Sequence, residues 1–129
     1  MWPFFVVRRR AGKGMYPMAV WETLRENKDF RTLYYRGRSQ VHPALVVYAR
    51  KNRLGYPRVG ITTGKKLGKA VQRNRCRRVI RAAFAPLYPA VGGYDVVFVA
   101  RGRLLTMKST QLRPIMEQQL RQLGVMNHA

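Results

Sequence analysis

The chain alternates short apolar runs with long polar stretches, and the spacing inside each run separates helix from strand. Between residues 67 and 87, Cys76, Val79, Ile80, Ala83, Phe84 and Leu87 recur at the roughly 3.6-residue period of a helix with one apolar face. The opposite face carries Ala70, Asn74, Arg77, Arg78 and Arg81, so its polar side is continuous and purely cationic. A second stripe, Leu112, Ile115, Met116, Leu120 and Leu123, predicts a last helix that begins at Ser109 or Thr110 and stops at Gly124. Pro114 then has to fall within the first turn, where no N–H is needed. Near the start of the chain, Phe30, Leu33 and Tyr34 share a face, with Asn27 as N-cap, Asp29 in the first turn and Gly37 as the stop. The pattern leaves open whether residues 17–26 extend that helix or turn separately around Trp21 and Leu24.

Two segments rich in Val and Tyr or Ile, residues 44–50 and 58–63, read as strands that pair as a hairpin across the loop 51–57. A third strand, residues 94–101, follows the Gly92-Gly93 turn; Val96, Val97, Phe98 and Val99 run without alternation, which predicts a central strand buried on both faces. The order helix, two strands, helix, strand, helix predicts an α+β fold, a small mixed sheet with helices packed on it. No repeat or linker divides the chain, so a single domain is expected over residues 21–125, with a basic tail over 1–20 and a short C-terminal tail over 126–129.

Charge changes this picture most. Twenty-six Lys and Arg stand against five Asp and Glu, a formal +21, and fifteen of the cations lie between Phe30 and Tyr94 without one acidic residue. Repulsion on that scale calls for a polyanion. A membrane partner is not expected, because the chain has neither a run of about 20 apolar residues nor a broad greasy helix face. The apolar residues 1–7 precede Arg8 to Arg10, the reverse of the charge order in a secretory signal, and Met15 could serve as the start. With Cys76 as the one cysteine, no internal disulfide or thiolate cluster can form, which fits a cytoplasmic protein.

The densest cationic segment is GKKLGKAVQRNRCRRVIRAAF, from Gly64 to Phe84, with eight Lys and Arg around the predicted helix start. A helix N-terminus disfavours cations unless an anion sits among them. Gly64 and Gly68 allow close backbone approach. Lys65, Lys66 and Lys69 supply point charges, and Arg73, Arg75, Arg77, Arg78 and Arg81 supply flat forks that match phosphate oxygens. The expected ligand is a phosphodiester backbone. The competing reading, a solvated face that keeps the chain soluble, suits helices with interleaved acids, which this one lacks. Arg73 lies at the edge of the apolar stripe, where bonding to carbonyls inside the protein competes with contact to nucleic acid.

Arg73-Asn74-Arg75, preceded by KKLGKAV and followed by RRVIRAAF, resembles the signature of bacterial ribonuclease P protein subunits. The resemblance extends to Lys28-Asp29-Phe30, Tyr34, Gly37, LVVY, RVGIT and YDVVFVAR, over roughly residues 24–123. It implies a ribosomal protein S5 domain 2-like fold with a left-handed βαβ crossover, against the usual handedness. It also implies a helix facing ribonuclease P RNA through Asn74 and the cations around it, with Arg77 and Arg81 reaching RNA or substrate. The 5′ leader of precursor tRNA would lie in a cleft between sheet and first helix, against Phe30, Tyr34 and Tyr48. Stacking on such rings tolerates any base. For Phe30 a core position is an equal alternative, since aromatics at i and i+4 usually face inward. The chain departs from the pattern at Gly64, usually a small hydroxyl residue, at Cys76, usually a branched aliphatic, and at Ala82, usually acidic or amide; none of these removes a cation.

Protein-borne hydrolysis would need paired carboxylates for metal or two positioned histidines. Glu22, Glu26 and Asp29 read as helix-start charge, and His42 and His128 have no orienting partner in the pattern. No catalytic residue, no metal ligand and no cofactor bound by the protein alone are expected; the resemblance implies that the RNA subunit, with its Mg²⁺, carries the chemistry. Precursor tRNA and ribonuclease P RNA are the partners so implied, with no obligate protein partner. A ribosomal-type structural RNA-binding protein fits size and composition equally and is separated only by the motif, and a DNA-binding regulator ranks last for want of helix-turn-helix or zipper spacing.

Overall fold

The computed structural model describes residues 22–126; the expectations for the tail 1–20, Met15, Trp21 and His128 fall outside the described residues. The chain runs β1 (Glu22–Thr23), α1 (Asn27–Arg36), β2 (Arg38–Val41), β3 (Leu45–Lys51), β4 (Arg58–Thr62), α2 (Ala70–Phe84), β5 (Tyr94–Ala100) and α3 (Ser109–Gln122). Short 3₁₀ turns at Lys65–Leu67, Tyr88–Ala90 and Gly102–Thr106 join these elements. The five strands form one mixed sheet in the order β1-β4-β5-β3-β2, which confirms the α+β class.

The hairpin expectation fails, because β3 and β4 do not touch as neighbours. β5 lies between them, antiparallel to β3 with Val47 opposite Phe98, and parallel to β4 with Ile61 opposite Phe98. The reason was in the sequence: a strand apolar on both faces needs a covered sheet on either side and gains most in the centre. The loop 52–57 therefore spans two strand spacings, roughly 10 Å. The connection from β4 through α2 to β5 is a parallel crossover.

Alternation along β5 divides the interior into two. Val96, Phe98 and Ala100 join Leu45, Val47, Ala49 and Val59 under α2 and α3, where Cys76, Ile80, Phe84, Leu112, Met116 and Leu120 complete the main core. Val97 faces the other way, with Leu24 and Leu33, and α1 covers that side with Phe30 and Tyr48 packed against it. The predicted α2 stripe is buried as expected, although the regular helix is Ala70–Phe84, shorter than 67–87.

Three local expectations shift. Asn27 is the first helical residue, and Glu26 holds the cap position. Pro114 sits in the second turn of α3, where its ring withholds a bond from Thr110; both residues are exposed, so water can take the forfeited bond. Met126, assigned to a tail, is buried and bridges to Val91. Gln119 ties α3 to the sheet by donating from Nε2 to the carbonyls of Gln40 and Leu45, at 3.1 and 2.9 Å.

Candidate nucleic-acid interface

The approach to α2 is set by one glycine. Gly68 has φ +123°, a conformation L side chains rarely adopt, and it joins the 3₁₀ turn to the helix. Gln72 Oε1 then accepts the Lys69 N–H at 2.8 Å, which closes the helix start. Leu67 is buried beneath this corner, so Lys65, Lys66 and Lys69 are held outward, all exposed. Asn74, Arg77 and Arg78 are exposed further along α2, and Arg81 is half-buried.

Two of the nine residues expected to meet RNA behave differently. Arg75 turns inward: its guanidinium donates to the carbonyls of Leu105 at 3.0 Å and Met107 at 2.8 Å, with a longer bond to Leu104 at 3.5 Å. That fork, expected to face phosphate, instead fastens the turn Gly102–Thr106 against α2. The carbonyl-bonding role considered for Arg73 thus belongs to Arg75. Arg73 is half-buried, and its Nε has no hydrogen-bond partner. Cys76 is fully buried on the apolar face, and burial pushes its thiol pKa up.

Across the sheet from α2, α1 forms the roof of a cleft. Tyr34 packs edge-on against Tyr48, with ring centroids 4.9 Å apart, and its hydroxyl lies 3.3 Å from Thr62 Oγ1. Asn27, Phe30, Arg31, Tyr34 and Thr62 line a cavity of about 490 Å³ here. Phe30 also walls a second cavity of about 270 Å³, shared with Thr23, Leu24, Val59, Ile61, Arg77 and Arg81. The core position weighed for Phe30 is occupied, since the ring packs on the small core, and the same ring lines both cavities. Gly60 makes this possible: a Cβ there would come within 2.7 Å of the Phe30 ring.

Arg31 and Thr62 were missed from the sequence. Thr62 lies two residues beyond Gly60 on the same face of β4, and Arg31 stands one turn before Tyr34, so both follow from strand and helix periods once the cleft is known. Val71, 76% exposed at the start of α2, was also missed.

The carboxylates are engaged elsewhere. Asp95 accepts a two-pronged contact from Arg58, Nε to Oδ1 at 2.9 Å and Nη2 to Oδ2 at 2.7 Å, and a further bond from Asn52 Nδ2 at 2.9 Å. Arg58 Nη1 also lies 3.9 Å from Asp29. The Asp95 bond raises the Arg58 pKa, so that guanidinium stays charged. Glu26 pairs with Lys28 at 3.6 Å. His42 serves its turn, with Nδ1 accepting the Ala44 N–H at 3.0 Å. Among the described residues no three His, Cys, Asp or Glu gather in a way that fits a metal ion, and no helix is long and apolar enough to cross a membrane.

A mixed sheet with a cationic helix on one face and an aromatic cleft on the other, joined through one phenylalanine, defines the class of this α+β domain. The family model for ribonuclease P matches residues 18–124. The ribonuclease P protein component of Symbiobacterium thermophilum is 40% identical over 105 residues, covering 80% of this chain and 91% of that protein. The structure of the Staphylococcus aureus ribonuclease P protein superposes with a TM-score of 0.74 at 32% identity, over 81% of this chain and 97% of that one. That of Thermotoga maritima gives 0.69 at 30% identity, over 78% and 96%. The chain belongs to the ribonuclease P protein family.

Proposed function

We propose that this protein is the subunit that binds the catalytic RNA of ribonuclease P and the 5′ leader of precursor tRNA, and so supports endonucleolytic removal of the leader to leave the mature 5′ end. The observation that carries the reading is that Phe30 walls two adjoining cavities, one with Tyr34 and Thr62 and the other with Arg77 and Arg81. A single strand in the cleft stacks on rings while its phosphates meet arginine forks, without reading sequence. Lys65, Lys66, Lys69, Asn74 and Arg78, exposed on the outer side, take the RNA subunit. Arg75 contributes by position, keeping the turn Gly102–Thr106 against the helix.

The residues present do not fit a metal site, because Asp95, Asp29 and Glu26 face cations of the protein itself. Mg²⁺ is accordingly assigned to the RNA subunit, with the chemistry. The protein's cations lower phosphate repulsion between RNA and substrate, which matters most when Mg²⁺ is scarce. The buried thiol and single cysteine suit action in the cytoplasm. Reconstitution with a bacterial ribonuclease P RNA tests the reading: the protein should stimulate cleavage of precursor tRNA at low Mg²⁺, and absence of stimulation would refute it.

A further inference from the structure

The outer side of α1 carries a second concavity that the cleft does not use. Lys28, Arg31, Thr32, Tyr35 and Arg36 line a shallow hollow of about 320 Å³. Residues 28, 31, 32 and 35 follow one another at helical spacing, so they form a single stripe turned away from Leu33 and the sheet. On a helix that only covers a core, such a stripe would carry mixed charge and short polar groups. This one has three cations around a tyrosine that is 85% exposed, by far the most open aromatic ring among the described residues. Lys28 shares its charge with Glu26 at 3.6 Å, and Arg31 and Arg36 have no acidic residue beside them on the helix. Thr32 turns its hydroxyl back to the Lys28 carbonyl at 2.8 Å, which keeps the floor of the hollow low.

Arg31 makes the hollow continuous with the cleft, because it lines both. Tyr34 stands three residues after it and Tyr35 four, so the two rings leave the same turn in directions about 100° apart, one into the cleft and one to the outside. We propose that the outer face of α1 is a second stacking site for single-stranded RNA, where a nucleotide of the leader upstream of the cleft lies on Tyr35 with its flanking phosphates on Arg31 and Arg36. This rests on the leader-binding reading of the cleft. The ligand class follows from the chemistry: an open ring accepts any base, and the cations beside it select an anionic chain.

The test measures affinity of the reconstituted complex for precursor tRNAs whose leaders are graded from a few nucleotides upward, with wild type, Tyr34→Ala, Tyr35→Ala and Tyr35→Phe. Tyr35 is too exposed for its removal to disturb folding. Tyr35→Ala should match wild type on mature tRNA and short leaders and lose about fivefold or more on long ones, and Tyr35→Phe should restore the affinity. Tyr34→Ala should lose affinity already at short leaders. If Tyr34→Ala shows leader-dependent loss and Tyr35→Ala shows none at any length, the outer site is overturned while the cleft stands. If neither variant discriminates leader length, the cleft reading falls first and the outer site with it.

Discussion

Gly60 and Phe30 meet so closely that a methyl group on the glycine would lie 2.7 Å from two atoms of the ring. The absence of a side chain at this point of β4 is what lets the ring pack down against the sheet and wall both cavities. Gly60→Ala should therefore push Phe30 outward, destabilise the fold by about 1–3 kcal/mol as overpacking does, and weaken leader binding. Adding Phe30→Leu should recover the stability and leave the affinity low. Urea unfolding and leader-dependent binding of the single and double variants check this; full affinity in Gly60→Ala would contradict it.

Arg75 and Arg77 stand two residues apart and are predicted to fail in opposite ways. Arg75→Ala deprives the carbonyls of Leu105 and Met107 of a charged donor and should cost about 1.5–3 kcal/mol of stability. Its effect on the salt dependence of RNA affinity should be small. Hydrogen exchange over residues 102–107 would rise if the fork fastens that turn, and unchanged exchange would count against it.

Arg77→Ala and Arg81→Ala should lower the slope of log affinity against log salt by about one for each phosphate that no longer meets a guanidinium, with little change in the unfolding midpoint for exposed Arg77. Isothermal or fluorescence titrations at several salt concentrations supply the slopes. Identical slopes in the wild type and both variants would remove α2 from the interface.

These contrasts mark what the sequence could and could not show. Helices α2 and α3 were legible because one-sided burial imposes a period, which six residues from Cys76 to Leu87 suffice to reveal, and the central place of β5 because two-sided burial leaves the unbroken apolar run Val96 to Val99. The partners of β5 were not, since adjacency favoured pairing β3 with β4 and only the two-sided apolar run argued otherwise. β1 and β2 escaped notice because Glu22–Thr23 and Arg38–Val41 carry little apolar signal and owe their form to pairing. The cationic residues of the candidate interface were visible as charge, but their placement was not. As cations in the sequence Arg75 and Arg78 look alike; the carbonyls that capture Arg75 lie about thirty residues downstream in a turn with no periodicity.

Cys76 should be silent toward thiol reagents in the native protein and react fully once the chain is unfolded. Burial raises its pKa in the folded state, so the fold favours the protonated thiol. Its contribution to stability is fully present below the pKa of the unfolded thiol and is lost as pH rises from there through the higher folded value. Stability of wild type should accordingly fall more steeply on the alkaline side than that of Cys76→Val. Parallel curves would show that the thiol does not titrate with unfolding.

The most direct measurement is the affinity of the reconstituted complex for precursor tRNA relative to mature tRNA, in wild type and in Tyr48→Ala. The ring of Tyr48 meets Tyr34 at the side of the cleft, so its loss should weaken the precursor by about fivefold or more and leave mature tRNA unchanged. Equal loss for both ligands would contradict a leader held between α1 and the sheet.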